Sequence, residues 1–375
     1  MTASYARERT ALLDAERGVE VERIDHVEFT VGNARQAARY LSAFGLRPIA
    51  YRGLETGSRE TTSWLLASGD VRVVVTAGLT ADCEVAERVR LHGDGVRDVA
   101  FGVPDVEAGY DAALARGAAP VCAPETIETP EGAFTRAAIC ACGDTIHSLV
   151  CRDGGPDGWL PGFVPIRSRL RPRFDVEAID HVTLAVELGA IDRQVELYRG
   201  VLGFDQMDLA GLDTIATDFT ALMSRVVEGG GGKIKFPIVE PAAGRKRSQI
   251  EEFLQYHGAP GVQHIGLTVS DIVAAAEAVQ EDDVQLVDVQ PRYYDDHRDL
   301  IEGLGLDVDA MRRCSVLVDE DEDGYLLQAF VKPLNDRPTF FFELIERHGS
   351  RGFGPRNVKH LFNALERDQR ARGNL

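Results

Sequence analysis

Ile24-Asp25-His26-Val27 returns as Ile179-Asp180-His181-Val182, and that repeat decides how the rest of the chain reads. Each copy opens a run, Glu28-Phe29-Thr30-Val31 or Thr183-Leu184-Ala185-Val186, whose period of two marks a strand. A helical stretch follows each and ends on a similar phrase, LSAFGL at 41–46 and YRGVLGF at 198–204. Further on, His92-Gly93-Asp94-Gly95-Val96-Arg97-Asp98-Val99 is echoed, one residue longer, by the segment from His257 to Ile265. Again a strand and then a helix follow. Every unit continues in alternating runs separated by Gly- or Asp-rich turns, such as TTSWLLASGDVRVVVTAG at 61–78. The repeat therefore predicts an α+β chain of four βαβββ modules, two to each half. The Pro-, Gly- and Arg-rich stretch 158–174 reads as the linker, so the expected domains are 1–165 and 175–375. The tetraglycine Gly229–Gly232 reads as a hairpin turn, because no helix start follows it to cradle a phosphate. A last strand carries Phe340-Phe341-Phe342-Glu343-Leu344. A helix over 357–372 ends the chain, with Leu361, Ala364 and Leu365 on one face.

Composition bounds the rest. Two domains suit 375 residues, and 44% hydrophobic with 27% charged residues is a globular balance. No segment approaches the roughly 18 to 20 apolar residues of a membrane helix. The first twenty residues, with Arg7, Arg9, Glu16 and Arg17, lack an apolar core and read as a frayed or helical leader, so a cytoplasmic location is expected. A net charge of −19 argues against nucleic acid as a partner. The six cysteines show no CxxC pair and read as buried thiols, with Cys140 and Cys142 on one face of a strand.

The two halves serve as controls for each other. His26 matches His181, but Asp98 stands where the second half has His264. The first half, ending near Asp153, shows no counterpart of the strand bearing Glu343. Only the second half thus offers two histidines and a carboxylate on three strands, the donor set of a non-haem iron(II) site with adjacent open positions. Each residue alone has a plainer explanation: a hydrogen-bonded core histidine, or Glu343 paired with Arg347. Both readings stand at this point.

Several phrases carry a resemblance. Lys233-Ile234-Lys235-Phe236-Pro237, Arg247-Ser248-Gln249-Ile250, Gly261-Val262-Gln263-His264-Ile265, DEDGYLLQ at 321–328, FELIERHG at 342–349, GFG at 352–354 and RGNL at 372–375 resemble the 4-hydroxyphenylpyruvate dioxygenases, whose close relatives are the hydroxymandelate synthases. The resemblance covers nearly the whole chain. It implies four modules of the vicinal-oxygen-chelate, glyoxalase/bleomycin-resistance-like type. The first half would hold no metal, and the second would form an open barrel around Fe(II) under the C-terminal lid helix. By matching motif, His181, His264 and Glu343 fall on the iron ligands. Ser224, Gln249, Gln263, Gln328, Phe330, Phe353 and Asn357 fall on the substrate pocket. The implied partners are a small-molecule 2-oxo acid and O2, and a homo-oligomer, dimer or tetramer, is expected.

Two positions depart from the dioxygenases. They resemble one another in an asparagine where this chain has Val239, and in a phenylalanine after the lid asparagine, where it has Val358. Hydroxymandelate synthases are similar to one another in aliphatic residues at both. Pro237 remains dioxygenase-like. These three positions are expected to govern the product: benzylic hydroxylation to 4-hydroxymandelate is favoured. Homogentisate formation and another 2-oxo acid are the alternatives within the family. A metal-free binding or resistance protein is the alternative outside it.

Overall fold

Period-two alternation builds two nine-stranded sheets; the computed structural model describes residues 18–129, 132–153, 160–208, 214–217 and 219–374. The expected leader up to residue 17 and the first two linker residues, 158 and 159, lie outside the described residues. The first module is β1 (Arg23–Thr30), helix α1 (Ala34–Leu41), β2 (Arg47–Arg52), β3 (Thr61–Ser68) and β4 (Val71–Gly78). Helix α2 (Glu84–His92) leads to the second: β5 (Gly95–Gly102), α3 (Val106–Ala115), β6 (Pro120–Thr129), β7 (Gly132–Cys142) and β8 (Thr145–Arg152). The linker is not wholly irregular, since β9 (Val164–Pro165) pairs with β2 at the edge of the first sheet.

The third module is β10 (Ala178–Ala185), α4 (Ile191–Glu196), β11 (Asp205–Met207), β12 (Thr214–Ala216), β13 (Ala221–Gly229) and β14 (Ile234–Ala242). After α5 (Gln249–His257) comes the fourth, β15 (Gly261–Thr268) and α6 (Ile272–Glu281). It is interrupted by three short helices, α7 (Pro291–Asp296), α8 (Arg298–Gly303) and α9 (Val308–Arg313), before β16 (Leu317–Asp321), β17 (Gly324–Phe330) and β18 (Phe341–His348). Helix α10 (Pro355–Ala371) closes the chain, starting two residues earlier than expected because Pro355 takes the first helical position. The four-module α+β plan holds, and the second sheet curls into a half-barrel. The tetraglycine forms the tight turn between β13 and β14. No helix of the described residues is long and apolar enough to cross a membrane.

Both sheets share one centre. β1 and β5 run antiparallel, flanked by the parallel pairs β1–β4 and β5–β8. β10 and β15 repeat this with β14 and β18. The register corrects one expectation: the first half does have a counterpart of the Glu343 strand. Asp98 pairs with Ile146 as His264 pairs with Phe341, which sets Ser148 of β8 opposite Glu343 in the repeat. Without a carboxylate, that strand was unrecognisable as a relative.

The faces away from the two concave surfaces fuse into one core. Phe340 and Phe342, alternating with Phe341 and Glu343 along β18, meet Phe29 and Phe44 of the first half at 4.9 Å between ring centroids. Each such buried ring contributes on the order of 2 to 3 kcal/mol. Cys83, Cys142 and Cys314 are buried free thiols, whereas Cys122, Cys140 and Cys151 are half-buried. A bulge between Cys140 and Cys142 breaks the alternation that would have put both on one face.

Candidate metal centre

Residues two apart on a strand share a face, so β10 turns His181 and Thr183 into the concave side while Val182 and Leu184 enter the core. Opposite, β15 carries a bulge at Gln263, and both Gln263 and His264 reach the same cavity. Neighbouring β18 adds Phe341 and Glu343. Gly266 lies across from His181, and a Cβ there would come within 2.6 Å of the imidazole, so the ring lies flat only over a glycine.

The three predicted ligands converge. His181 Nε2 lies 3.2 Å from His264 Nε2 and 3.3 Å from Glu343 Oε2, and His264 Nε2 is 3.7 Å from that oxygen. Donors on bonds of about 2.1 Å at right angles stand about 3 Å apart, so the set fits one ion. The rings are oriented for it. Asp180 Oδ1 can only accept, so His181 Nδ1–H donates to it at 2.9 Å. His264 Nδ1–H likewise donates to Gln263 Oε1 at 2.8 Å. Both Nε2 lone pairs therefore face inward, the usual second layer of a metal-binding histidine. Thr183 Oγ1 sits 2.9 Å from His264 Nε2.

Electrostatics favours a cation at this point. Burial alone would lower the His181 pKa, but the hydrogen bonds and charges of Asp180 and Glu343 outweigh it and raise it to about 8. Burial and the charge of His181 push His264 well below its ordinary value. Arg347 is not the partner of Glu343. Its guanidinium donates to Asp180 through two nitrogens, at 2.5 and 2.9 Å, and to the carbonyls of Ser350 and Gly352. Burial pushes the Asp180 carboxyl up, yet Arg347 and His181 hold it far below the usual range.

The rest of the cavity wall is largely apolar, with a few polar groups set into it. Phe330, Phe341, Phe353 and Phe362 wall it, with Leu361 and Val358 contributed by α10. Phe341 stacks on His264 at 4.7 Å, and Phe353 meets His181 edge-on at 5.1 Å. Of the positions matched by motif, Ser224, Gln249, Gln263, Gln328, Phe330, Phe353, Pro237, Val239 and Val358 all line it. Gln249 is held there at the start of α5 by a reciprocal cap between Ser248 and Glu251.

Asn357 stands apart from these positions. It is fully buried behind the wall, where its Nδ2 donates to Gln328 Oε1 at 2.8 Å. Gln328 in turn donates through Nε2 to Glu343 Oε1 at 2.8 Å, so its amide is engaged by the protein. Sequence reasoning also passed over Thr183, although its spacing from His181 signalled the shared face. It missed Phe341, Leu361 and Phe362 as cavity wall; all three lie in segments read only as strand and helix.

In the first half the same register brings together His26, Asp98 and Ser148. Asp98 accepts from Ser148 N at 2.9 Å and from Ser148 Oγ. Outside them, His26 Nδ1 donates to Asp25 at 2.7 Å and Arg152 pairs with Asp25, reproducing His181–Asp180–Arg347. The outer layer is duplicated and the inner one is not.

Comparison with known proteins agrees with this geometry. Residues 178–329 match the family described as Glyoxalase/Bleomycin resistance protein/Dioxygenase superfamily. The chain is 38% identical to a 4-hydroxyphenylpyruvate dioxygenase of Yarrowia lipolytica, covering 98% of this chain and 96% of that one. It is also 38% identical to one of Pyricularia oryzae, covering 98% of each. Among solved structures, a triple mutant of 4-hydroxymandelate synthase from Streptomyces coelicolor superposes with a TM-score of 0.82 at 32% identity, over 94% of this chain and 100% of that one.

Proposed function

The chain belongs to the 4-hydroxyphenylpyruvate dioxygenase family of non-haem iron oxygenases, and from that premise we propose that it converts 4-hydroxyphenylpyruvate and O2 to 4-hydroxymandelate and carbon dioxide. The atoms balance. The bond between the keto carbon and the carboxylate breaks, one oxygen atom completes a new carboxylate, and the other becomes the benzylic hydroxyl. The convergence of His181, His264 and Glu343 in a largely apolar cavity carries this reading. Fe(II) held by these three residues would supply a chelating point for the 2-oxo acid and electrons for O2.

The remaining work falls to the protein. Asp180 and Gln263 fix the two imidazoles, and Gln328 fixes the carboxylate. Ser224 and Gln249 offer hydroxyl and amide groups to the oxygen atoms of the substrate, while the phenylalanine walls hold its ring. Leu361 and Phe362 of α10 cover the cavity and exclude water, which protects a reactive site from side reactions.

Product choice rests on where the ring is held, since small displacements redirect such chemistry. Val239 and Val358 line the same cavity and give it neither an amide to hold the ring nor an aromatic face to confine it. That supports oxidation at the nearer benzylic carbon. Homogentisate is the second reading, favoured by the names of the curated relatives and by Pro237 on the wall. Incubation with Fe(II), O2 and 4-hydroxyphenylpyruvate tests both. Because the two products are isomers, they are separated by chromatography against authentic standards. Homogentisate as sole product would overturn the favoured outcome. No oxygen uptake with any aryl or alkyl 2-oxo acid would refute the reaction and point to a binding protein.

A further inference from the structure

The helices α7, α8 and α9 interrupt the fourth module and have no counterpart among the described residues of the other three. They put Tyr293 beneath the start of the lid, 4% exposed, its ring stacked on His297 at 4.2 Å and edge-on to His360 at 4.7 Å. Its hydroxyl is the head of a buried chain. Val318 N–H donates to Tyr293 Oη at 2.9 Å, and the phenolic proton faces Val318 O at 3.0 Å and Asn357 Oδ1 at 3.4 Å. Asn357 Nδ2 donates to Gln328 Oε1, and Gln328 Nε2 donates to Glu343 Oε1, both at 2.8 Å. The last acceptor is a carboxylate whose other oxygen faces the two histidines.

We propose that Tyr293 is a positioning residue for the metal centre, anchoring the far end of the chain Tyr293–Asn357–Gln328–Glu343 and thereby holding the orientation of the Glu343 carboxylate. The proposal rests on the metal reading above. An amide has one accepting and one donating end, so two amides in series have only two consistent directions. Turned over, Asn357 would present Oδ1 to Gln328, and Gln328 would have to turn too. Its own oxygen would then oppose the carboxylate of Glu343. The Glu343 carboxylate, which only accepts, opposes this reversal from one end, and Tyr293, whose proton is shared between Val318 O and Asn357 Oδ1, opposes it from the other. Burial raises the pKa of this phenol, so the proton stays. Space is matched as well: at Gly354, with φ of +63°, a Cβ would come within 2.6 Å of Gln328 Oε1.

The test is Fe(II) affinity of the resting chain, measured by competition with a metal buffer, with Tyr293→Phe against Tyr294→Phe. Tyr294 is a sound control because it is as deeply buried and its hydroxyl has no hydrogen-bond partner among the described residues. Tyr293→Phe is expected to bind Fe(II) about tenfold more weakly, the scale of lost outer-layer support, with KM for the 2-oxo acid unchanged. Tyr294→Phe is expected to match the wild type. A disturbed lid alone would raise KM and spare iron affinity. Should Tyr293→Phe fold poorly, Asn357→Ala cuts the same chain. Where both single variants fold, adding Tyr293→Phe to Asn357→Ala should cost no further affinity. Equal affinities of the two folded phenylalanine variants overturn the proposal, as does full additivity in the double variant. A wild-type chain that binds no Fe(II) instead refutes the metal reading itself.

Discussion

Replacing His147 by phenylalanine should leave a stability deficit that is large at pH 8 and closes by pH 4. His147 is fully buried where the halves meet. Its Nδ1–H donates to Val99 O at 2.9 Å, and its Nε2 accepts from the Tyr198 hydroxyl at 2.8 Å, so the neutral ring is the one this site fits. Burial lowers its pKa from 6.5 to about 4. Above pH 6.5 the ring is neutral folded or unfolded, and its contribution is fully present. As the pH falls from 6.5 towards 4 the unfolded chain takes up a proton that the folded chain refuses, and stability is lost. At about 1.4 kcal/mol per pH unit, the loss by pH 4 is about 3 kcal/mol. Phenylalanine keeps the aromatic volume between Phe101 and Phe236 but strands Val99 O and the Tyr198 hydroxyl, costing about 3 kcal/mol at pH 8. It has no proton to gain. His257, lowered similarly to about 4, acts equally in both proteins and cancels. Urea unfolding at half-unit steps from pH 8 to 4 measures the difference. A gap that stays constant with pH would refute the reasoning.

Three further outcomes are expected. His264→Ala should lose at least about a hundredfold in Fe(II) affinity with an unchanged circular dichroism spectrum; an ordinary iron content would remove His264 from the site. Val239→Asn with Val358→Phe should shift product towards homogentisate, and a product ratio equal to wild type would mean that these two wall positions do not steer the ring. Burial raises the Asp98 carboxyl to about 6, a penalty absent below its ordinary 3.8 and complete above 6. Asp98→Asn should therefore gain about 3 kcal/mol more at pH 7.5 than at pH 3.5, as read by urea titration at both.

Local periodicity made the modules, the hairpin at Gly229–Gly232 and the apolar face of α10 legible, because alternation and helical spacing are written in neighbouring residues. The three donors were legible for another reason: the degenerate half acted as an internal control. What escaped was non-local. Glu343 and Arg347 share a strand face but lie about 13 Å apart along it, and only the sheet reveals that Arg347 turns to Asp180. Asn357 matched a pocket motif, yet a helix start can bury a residue behind a wall as readily as in it. The strand holding Ser148 kept its place in the sheet after its side chains had ceased to announce it.

The paired Asp25 and Arg152 form a buried tie in the first half. Inside it, Asp98 and Ser148 occupy the register positions that His264 and Glu343 hold in the second half. Asp25 also accepts from His26 at 2.7 Å and lies 3.8 Å from Arg23, so its buried charge is met from three sides. The outer pair thus braces the first half from within its sheet, as Asp180 and Arg347 brace the second.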